Sequence, residues 1–112
     1  FGPVLGVMTA ETLDEAIDIV NAIEYGLTSG LHALDETEIQ RWLSRIEAGN
    51  VYVNRGTTGA IVQRQPFGGW KKSAVGAGTK AGGPHYLHRF ATERTLTVNI
   101  TAQGGDAELL SL

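Results

Sequence analysis

The 112-residue chain is 42% hydrophobic and 19% charged, a balance that suits one small domain with a single core and excludes a highly charged disordered segment. A net charge of -3 and a pI near 5.5 rule out general electrostatic attraction to nucleic acid or anionic membranes, and no apolar run approaches the roughly 18 to 20 residues of a membrane span. Having no cysteine, the chain carries no disulfide, thiolate metal site or thiol nucleophile, which fits a reducing cytoplasm.

The opening Phe1-Gly2-Pro3-Val4 has neither an initiator Met nor a basic leader, so the chain is expected to begin inside a longer protein or after processing. Pro3 to Thr9 is a short apolar run that reads as a buried strand. Thr12 and Glu15 then form an S/T-x-x-E capping box, which predicts a helix starting near residue 13. Leu13, Ala16, Ile17, Val20 and Ile23 share one face of it, and Gly26 is placed for a left-handed C-terminal cap.

Leu27 to Leu34 is the next strand candidate, weakened by Gly30. Asp35 and Glu38 repeat the cap-plus-acid pattern before Ile39, Trp42, Leu43 and Ile46, and Gly49 closes this second helix. Asn50 to Asn54 is a third strand, rich in β-formers. The order β-α-β-α-β, with a helix in each crossover, predicts a parallel α/β sheet. Residues 55–84 hold eight glycines and little apolar periodicity, and read as a long loop. A helical turn or two is expected over His85 to Phe90, and an alternating strand over Thr92 to Thr101 with Leu96, Val98 and Ile100 on one face.

Chemistry-bearing motifs are few. The stretch from Phe67 to Pro84 is glycine-rich, but Gly76, Gly78 and Lys80 match neither a Walker loop nor the G-x-G-x-x-G register, so it reads as a packed structural loop. His85 and His88 are three apart, yet neither they nor His32 have further ligands nearby in sequence, so no metal site is expected. Trp42 fits the core stripe, while Trp70 in the loop suggests an interface. Glu11, Asp14, Glu15, Asp18 and Glu24 read as the solvated face of the first helix.

Four segments in order, Phe1-Gly-Pro-Val4, Glu24-Tyr-Gly-Leu-Thr-Ser-Gly30, Gly49-Asn-Val-Tyr-Val-Asn-Arg55 and Gln65-Pro-Phe-Gly-Gly69, resemble the C-terminal third of aldehyde dehydrogenases, over residue 1 to about residue 100. Thr58-Gly-Ala-Ile-Val-Gln-Arg-Gln-Pro-Phe67 with Lys80-Ala-Gly-Gly-Pro84 is similar to the branch acting on glutamate semialdehyde, which includes the dehydrogenase half of bifunctional proline-utilisation enzymes. The resemblance implies an NAD-dependent parent that oxidises L-glutamate γ-semialdehyde to glutamate in proline degradation, in the cytoplasm. Gly59 and Ala60 would belong to the loop whose backbone amides hold the substrate carboxylate, Phe67 would line the aldehyde pocket, and Phe1 would border the nicotinamide.

The family's cysteine nucleophile, general-base glutamate, oxyanion asparagine and dinucleotide-binding half match nothing in this chain. The chain alone is therefore expected to be inactive and to bind NAD poorly, its first partner being the rest of the parent polypeptide. Residues 1–90 would form the C-terminal part of the catalytic domain, and residues 91–112 an oligomerisation strand and tail. Self-association through an unpaired sheet edge or the C-terminal strand is expected. The competing functions are a non-catalytic assembly module built from the same remnant and a dehydrogenase for a different aldehyde.

Overall fold

A computed structural model describes residues 2–76 and 79–98. Helix α1 (Leu13–Asn21) starts where the capping box places it: Thr12 Oγ1 accepts from the Glu15 amide at 3.2 Å, and the Glu15 carboxylate accepts from the Glu11 amide at 2.8 Å. Short strands β1 (Tyr25–Gly26) and β2 (Thr28–Leu31) follow. Helix α2 (Glu36–Arg45) is capped by the Asp35 carboxylate, which accepts from the Thr37 amide at 2.7 Å, and leads into β3 (Asn50–Val53). Strand β4 (Trp70–Lys71) and a 3-10 turn (Tyr86–Phe90) complete the elements.

Strands β2 and β3 pair in parallel, from Thr28 opposite Asn50 to Leu31 opposite Val53, with α2 as the crossover between them. Both helices contribute to a small core, in which Ile17 (1% exposed), Trp42 (4%), Ile46 and Ala48 cluster, with Leu13, Leu31 and Val53 packed against them. Trp42 is thus a core residue, as its stripe predicts. The chain is a mixed α/β unit with a parallel strand pair.

Charged groups fasten α1 to α2. The Arg41 guanidinium grips Asp14 with two nitrogens, and Arg45 donates to Asp14 Oδ1 and Asp18 Oδ1, each at 2.6 Å. Asp14 and Asp18, read from sequence as a solvated face, are therefore paired across the helix interface, because α2 brings arginines at 41 and 45 alongside them. Asn21 adds a neutral clasp: its side chain donates to the Arg45 carbonyl at 2.8 Å and accepts from the Glu47 amide at 2.9 Å, satisfying groups at the end of α2.

Several expectations are corrected. Pro3 to Thr9 is not a buried strand; Val4 is 93% exposed and Leu5, Val7 and Met8 also face solvent. A strand needs a neighbour for its backbone groups, and neither β2 nor β3 offers one to this segment, so the parallel sheet has two strands rather than three. Helix α1 stops at Asn21, short of Gly26. The Lys71 ammonium binds the carbonyls of Asn21 (2.5 Å) and Ile23 (3.1 Å) there, and Gly26 instead sits buried in β1, paired with Trp70 of β4. Residues 92–98 form no strand, with Leu96 and Val98 exposed, since no described segment pairs with them to complete a ladder; the rest of that expected strand lies outside the described residues.

The described parts of the loop from 55 to 84 are folded back on the sheet rather than loose. Phe67 and Ala81 exchange backbone hydrogen bonds at 2.9 and 2.8 Å. The following Gly68-Gly69 turn lies directly on Gly49, at the start of β3, so closely that a Cβ on Gly49 would overlap the Gly68 carbonyl and lie 2.7 Å from the Gly69 Cα.

Two outcomes follow for stability. Replacing Gly49 with Ala forces two backbone segments apart and is expected to destabilise the chain by about 1–3 kcal/mol, read from the denaturant midpoint; an unchanged midpoint would contradict the close approach. Hydrogen bonding by Arg41 holds the Asp14 carboxyl below its ordinary value. A folded-state pKa below the unfolded one stabilises above the unfolded value, near pH 3.8, and that contribution disappears as pH falls through the lowered pKa. The Asp14→Asn variant should therefore melt lower than wild type at neutral pH, by a margin that shrinks in high salt because the pair is exposed, and that closes at strongly acid pH.

Candidate functional site

The site begins where β3 ends. Asn54 adopts φ 54°, a left-handed conformation that asparagine tolerates better than most residues. Its backbone amide donates to the Leu31 carbonyl at 2.8 Å, while its side chain accepts from the Ala33 amide at 3.0 Å and donates to the Ala33 carbonyl at 2.8 Å. The side chain thus extends the parallel ladder by one rung and fixes the direction in which residues 55–60 leave the sheet.

Arg55 shapes those residues. Its guanidinium lies 4.7 Å from the centroid of the buried Tyr52 ring and donates to the carbonyls of Gly56 and Thr58, each at 3.1 Å. Thr57 then seats against β2, where a Cβ on Gly30 would lie 2.8 Å from Thr57 Cγ2. The glycine that weakens the strand pattern is what lets the loop approach. Gly59 follows at φ +81°, a conformation that L side chains rarely adopt.

Phe67 arrives from the far end of the loop. Asn50 Nδ2 donates to the Leu27 carbonyl at 2.9 Å and the Gly68 carbonyl at 3.1 Å, and the Lys80 ammonium binds the carbonyls of Gly49 and Gly68. Burial pushes the Lys80 pKa down, while the two carbonyl oxygens it touches favour the charged form. Phe67 remains 38% exposed, with its backbone fixed on both sides.

Together these segments enclose an open hollow of about 460 Å³ lined by Thr28, Thr57, Thr58, Gly59, Ala60 and Phe67. The structure thus brings Gly59, Ala60 and Phe67 to one place, while Phe1 lies outside the described residues. No charged side chain lines the hollow. Among the hydrogen bonds of the described residues, none uses the amides of Gly59 or Ala60 as donors. The hollow is therefore lined by two residues with unengaged amides, three threonines and one aromatic side chain, groups able to bind an anionic or polar group, and by no cysteine, histidine or carboxylate.

Elsewhere the chemistry is sparse. Among the described residues no group of three His, Cys, Asp or Glu is placed to hold a metal. The His85 and His88 rings are 5.4 Å apart at the 3-10 turn. Trp70, expected in the loop, is 52% exposed on β4. No described helix is long and apolar enough to cross a membrane. Sequence reasoning did not single out Thr28, Asn54 or Lys80 as parts of the site. Asn54 had a usable signal, an asparagine directly after a β-forming run; Lys80 had none, because its partners are carbonyls 12 and 31 residues away.

Residues 1–96 match the model of the aldehyde dehydrogenase family. The chain is 55% identical over 95 residues to the bifunctional protein PutA of Rhizobium meliloti, an overlap of 82% of this chain and 8% of that protein. It resembles the structure of proline utilization A from Corynebacterium freiburgense with a TM-score of 0.82 and 53% identity, covering 90% of this chain and 10% of that one. A crystal structure of 1-pyrroline-5-carboxylate dehydrogenase from Thermus with bound NAD gives a TM-score of 0.73 at 40% identity, over 80% of this chain and 17% of that one. The chain spans less than a fifth of the length of each of these relatives. With the family pattern running through nearly all of the described fold and the whole of the hollow, the chain belongs to the aldehyde dehydrogenase family.

Proposed function

We propose that this chain forms the substrate-anchor region of an NAD-dependent dehydrogenase that oxidises L-glutamate γ-semialdehyde to glutamate in proline degradation. The observation that carries this reading is the hollow in which Gly59, Ala60 and Phe67 meet, with two backbone amides unengaged and no carboxylate to repel an anion. The names of the similar proteins, a 1-pyrroline-5-carboxylate dehydrogenase and proline utilization proteins, favour the same substrate. Glutamate semialdehyde carries its carboxylate at the end remote from the aldehyde. Holding that carboxylate on the Gly59 and Ala60 amides sets where the reacting end lies, which converts binding at one end into orientation at the other. Phe67 supplies an apolar wall for the methylene chain between them.

The nucleophile and the base are assigned to the remainder of a longer polypeptide, since none lines the hollow. NAD is assigned there too. The glycine-rich stretch here is followed by a five-residue 3-10 turn rather than by the helix that a pyrophosphate cradle requires, so the described residues do not by themselves fit the cofactor. In this reading residues 1–90 complete a catalytic domain of a cytoplasmic enzyme, and residues 91–112 serve oligomerisation, for which the exposed Leu96 and Val98 provide apolar contacts.

In the full-length enzyme, replacing Ala60 with a bulky residue such as Leu is expected to raise KM for glutamate semialdehyde about tenfold or more while affecting KM for an uncharged aldehyde far less. Equal effects on both would remove the anchor role and point to a different aldehyde substrate. For the assembly role, light scattering of the chain at micromolar concentration should show self-association; a monodisperse monomer would count against it.

A further inference from the structure

We propose that Arg55 is a positioning residue that orients and polarises the anchor's donor, acting through the peptide unit between Thr58 and Gly59. The proposal rests on reading Gly59 and Ala60 as the carboxylate anchor. No described peptide bond is cis, and in a planar trans peptide the N–H points away from the C=O of the same unit. The Thr58 carbonyl is held by the Arg55 guanidinium at 3.1 Å, so the amide of the same unit, that of Gly59, is turned to the opposite side. The Gly56 carbonyl, also at 3.1 Å, fixes the Thr57 amide in the same manner. One side chain thereby sets the direction of two peptide dipoles in the loop that lines the hollow.

The hold on Arg55 is itself built. Its guanidinium lies over the Tyr52 ring at 4.7 Å, and Tyr52 is buried in β3, so the group that orients the loop is referred to the sheet rather than to solvent. Arg55 does not line the hollow and makes no ion pair among the described residues, which separates it from a direct ligand of the carboxylate. A charged donor on a peptide carbonyl draws electron density toward that oxygen and makes the N–H at the other end a better donor. The fork geometry matters: two carbonyls are reached at once by a planar group with fixed nitrogens, which a lysine ammonium does not reproduce.

The test uses the full-length enzyme with Arg55→Met and Arg55→Lys, assayed with glutamate semialdehyde and with an uncharged aliphatic aldehyde, and with L-glutamate as an inhibitor. Arg55→Met should raise KM for the semialdehyde and the inhibition constant of L-glutamate about tenfold, several times more than KM for the uncharged aldehyde, with kcat changing less than KM. Arg55→Lys should recover only part of this loss. Equal losses for both aldehydes, or a lysine variant equal to wild type, would overturn the proposal. If the Ala60 variant discriminates between the aldehydes and the Arg55 variants do not, the anchor stands and the positioning role falls; if wild type itself shows no preference for the carboxylate-bearing aldehyde, the anchor reading fails first.

Discussion

The close approach of Gly49 to the Gly68-Gly69 turn is the constraint on which the rest of the structure depends. Only a position without a side chain lets the returning loop touch the backbone at the start of β3. Once it does, Lys80 binds the carbonyls of both Gly49 and Gly68, and Asn50 binds that of Gly68. A polar cluster thus forms around a steric contact, and each needs the other. Without the approach the amide and ammonium would have no shared carbonyl to hold; without them the half-buried Gly49 and Gly68 carbonyls would lose these partners. Phe67, next in the chain to this turn, inherits its position from both.

The two ends of the hollow are consequently fixed by different means. The Phe67 end depends on sterics and on a lysine reaching across from residue 80. The Gly59 end depends on Asn54 and Arg55, whose partners lie within the β2–β3 layer or in the loop itself. No residue of helices α1 or α2 lines the hollow. Their paired aspartates and arginines, with the Asn21 clasp, stabilise the layer behind the strands, and the strands carry the site. The ion pairs lie at the back of the domain, while no charged side chain lines the hollow.

Much of this was legible in the residues. The capping signals at Thr12 and Asp35 located both helix starts, and the apolar stripe put Trp42 and Ile46 in the core. The β-rich run at Asn50 gave β3. What failed was the assumption that an apolar run must be a strand: Pro3 to Thr9 has the composition of one, but a strand is a pairing, and composition says nothing of whether a neighbour is present. The end of α1 was misplaced for a related reason. Gly26 looks like a left-handed cap, yet the helix is closed by Lys71, a residue 45 positions further on whose contribution no local pattern contains. The site divides the same way. Gly59, Ala60 and Phe67 came from resemblance and the structure brought them together, whereas Lys80 and the geometry of Arg55 depend on carbonyls, which every residue possesses and no sequence distinguishes.

The exposed apolar surface shows the same division between local signal and missing neighbour. Val4, Leu5, Val7 and Met8 are apolar and bare, and Val20 on α1 and Ile23 just beyond its end are also exposed, although periodicity assigns both to the interior. Exposed apolar residues that cluster on a surface mark contact with further protein. Their composition was chosen for burial, and the two-strand sheet is too small to provide it. The hollow is open for the same reason: it has a floor at Gly59 and Ala60 and one wall at Phe67. If the hollow acts as the proposed anchor, it would fix one end of a molecule while leaving the other accessible, so the geometry of Arg55, Gly30 and Gly49 would set a distance rather than a reaction.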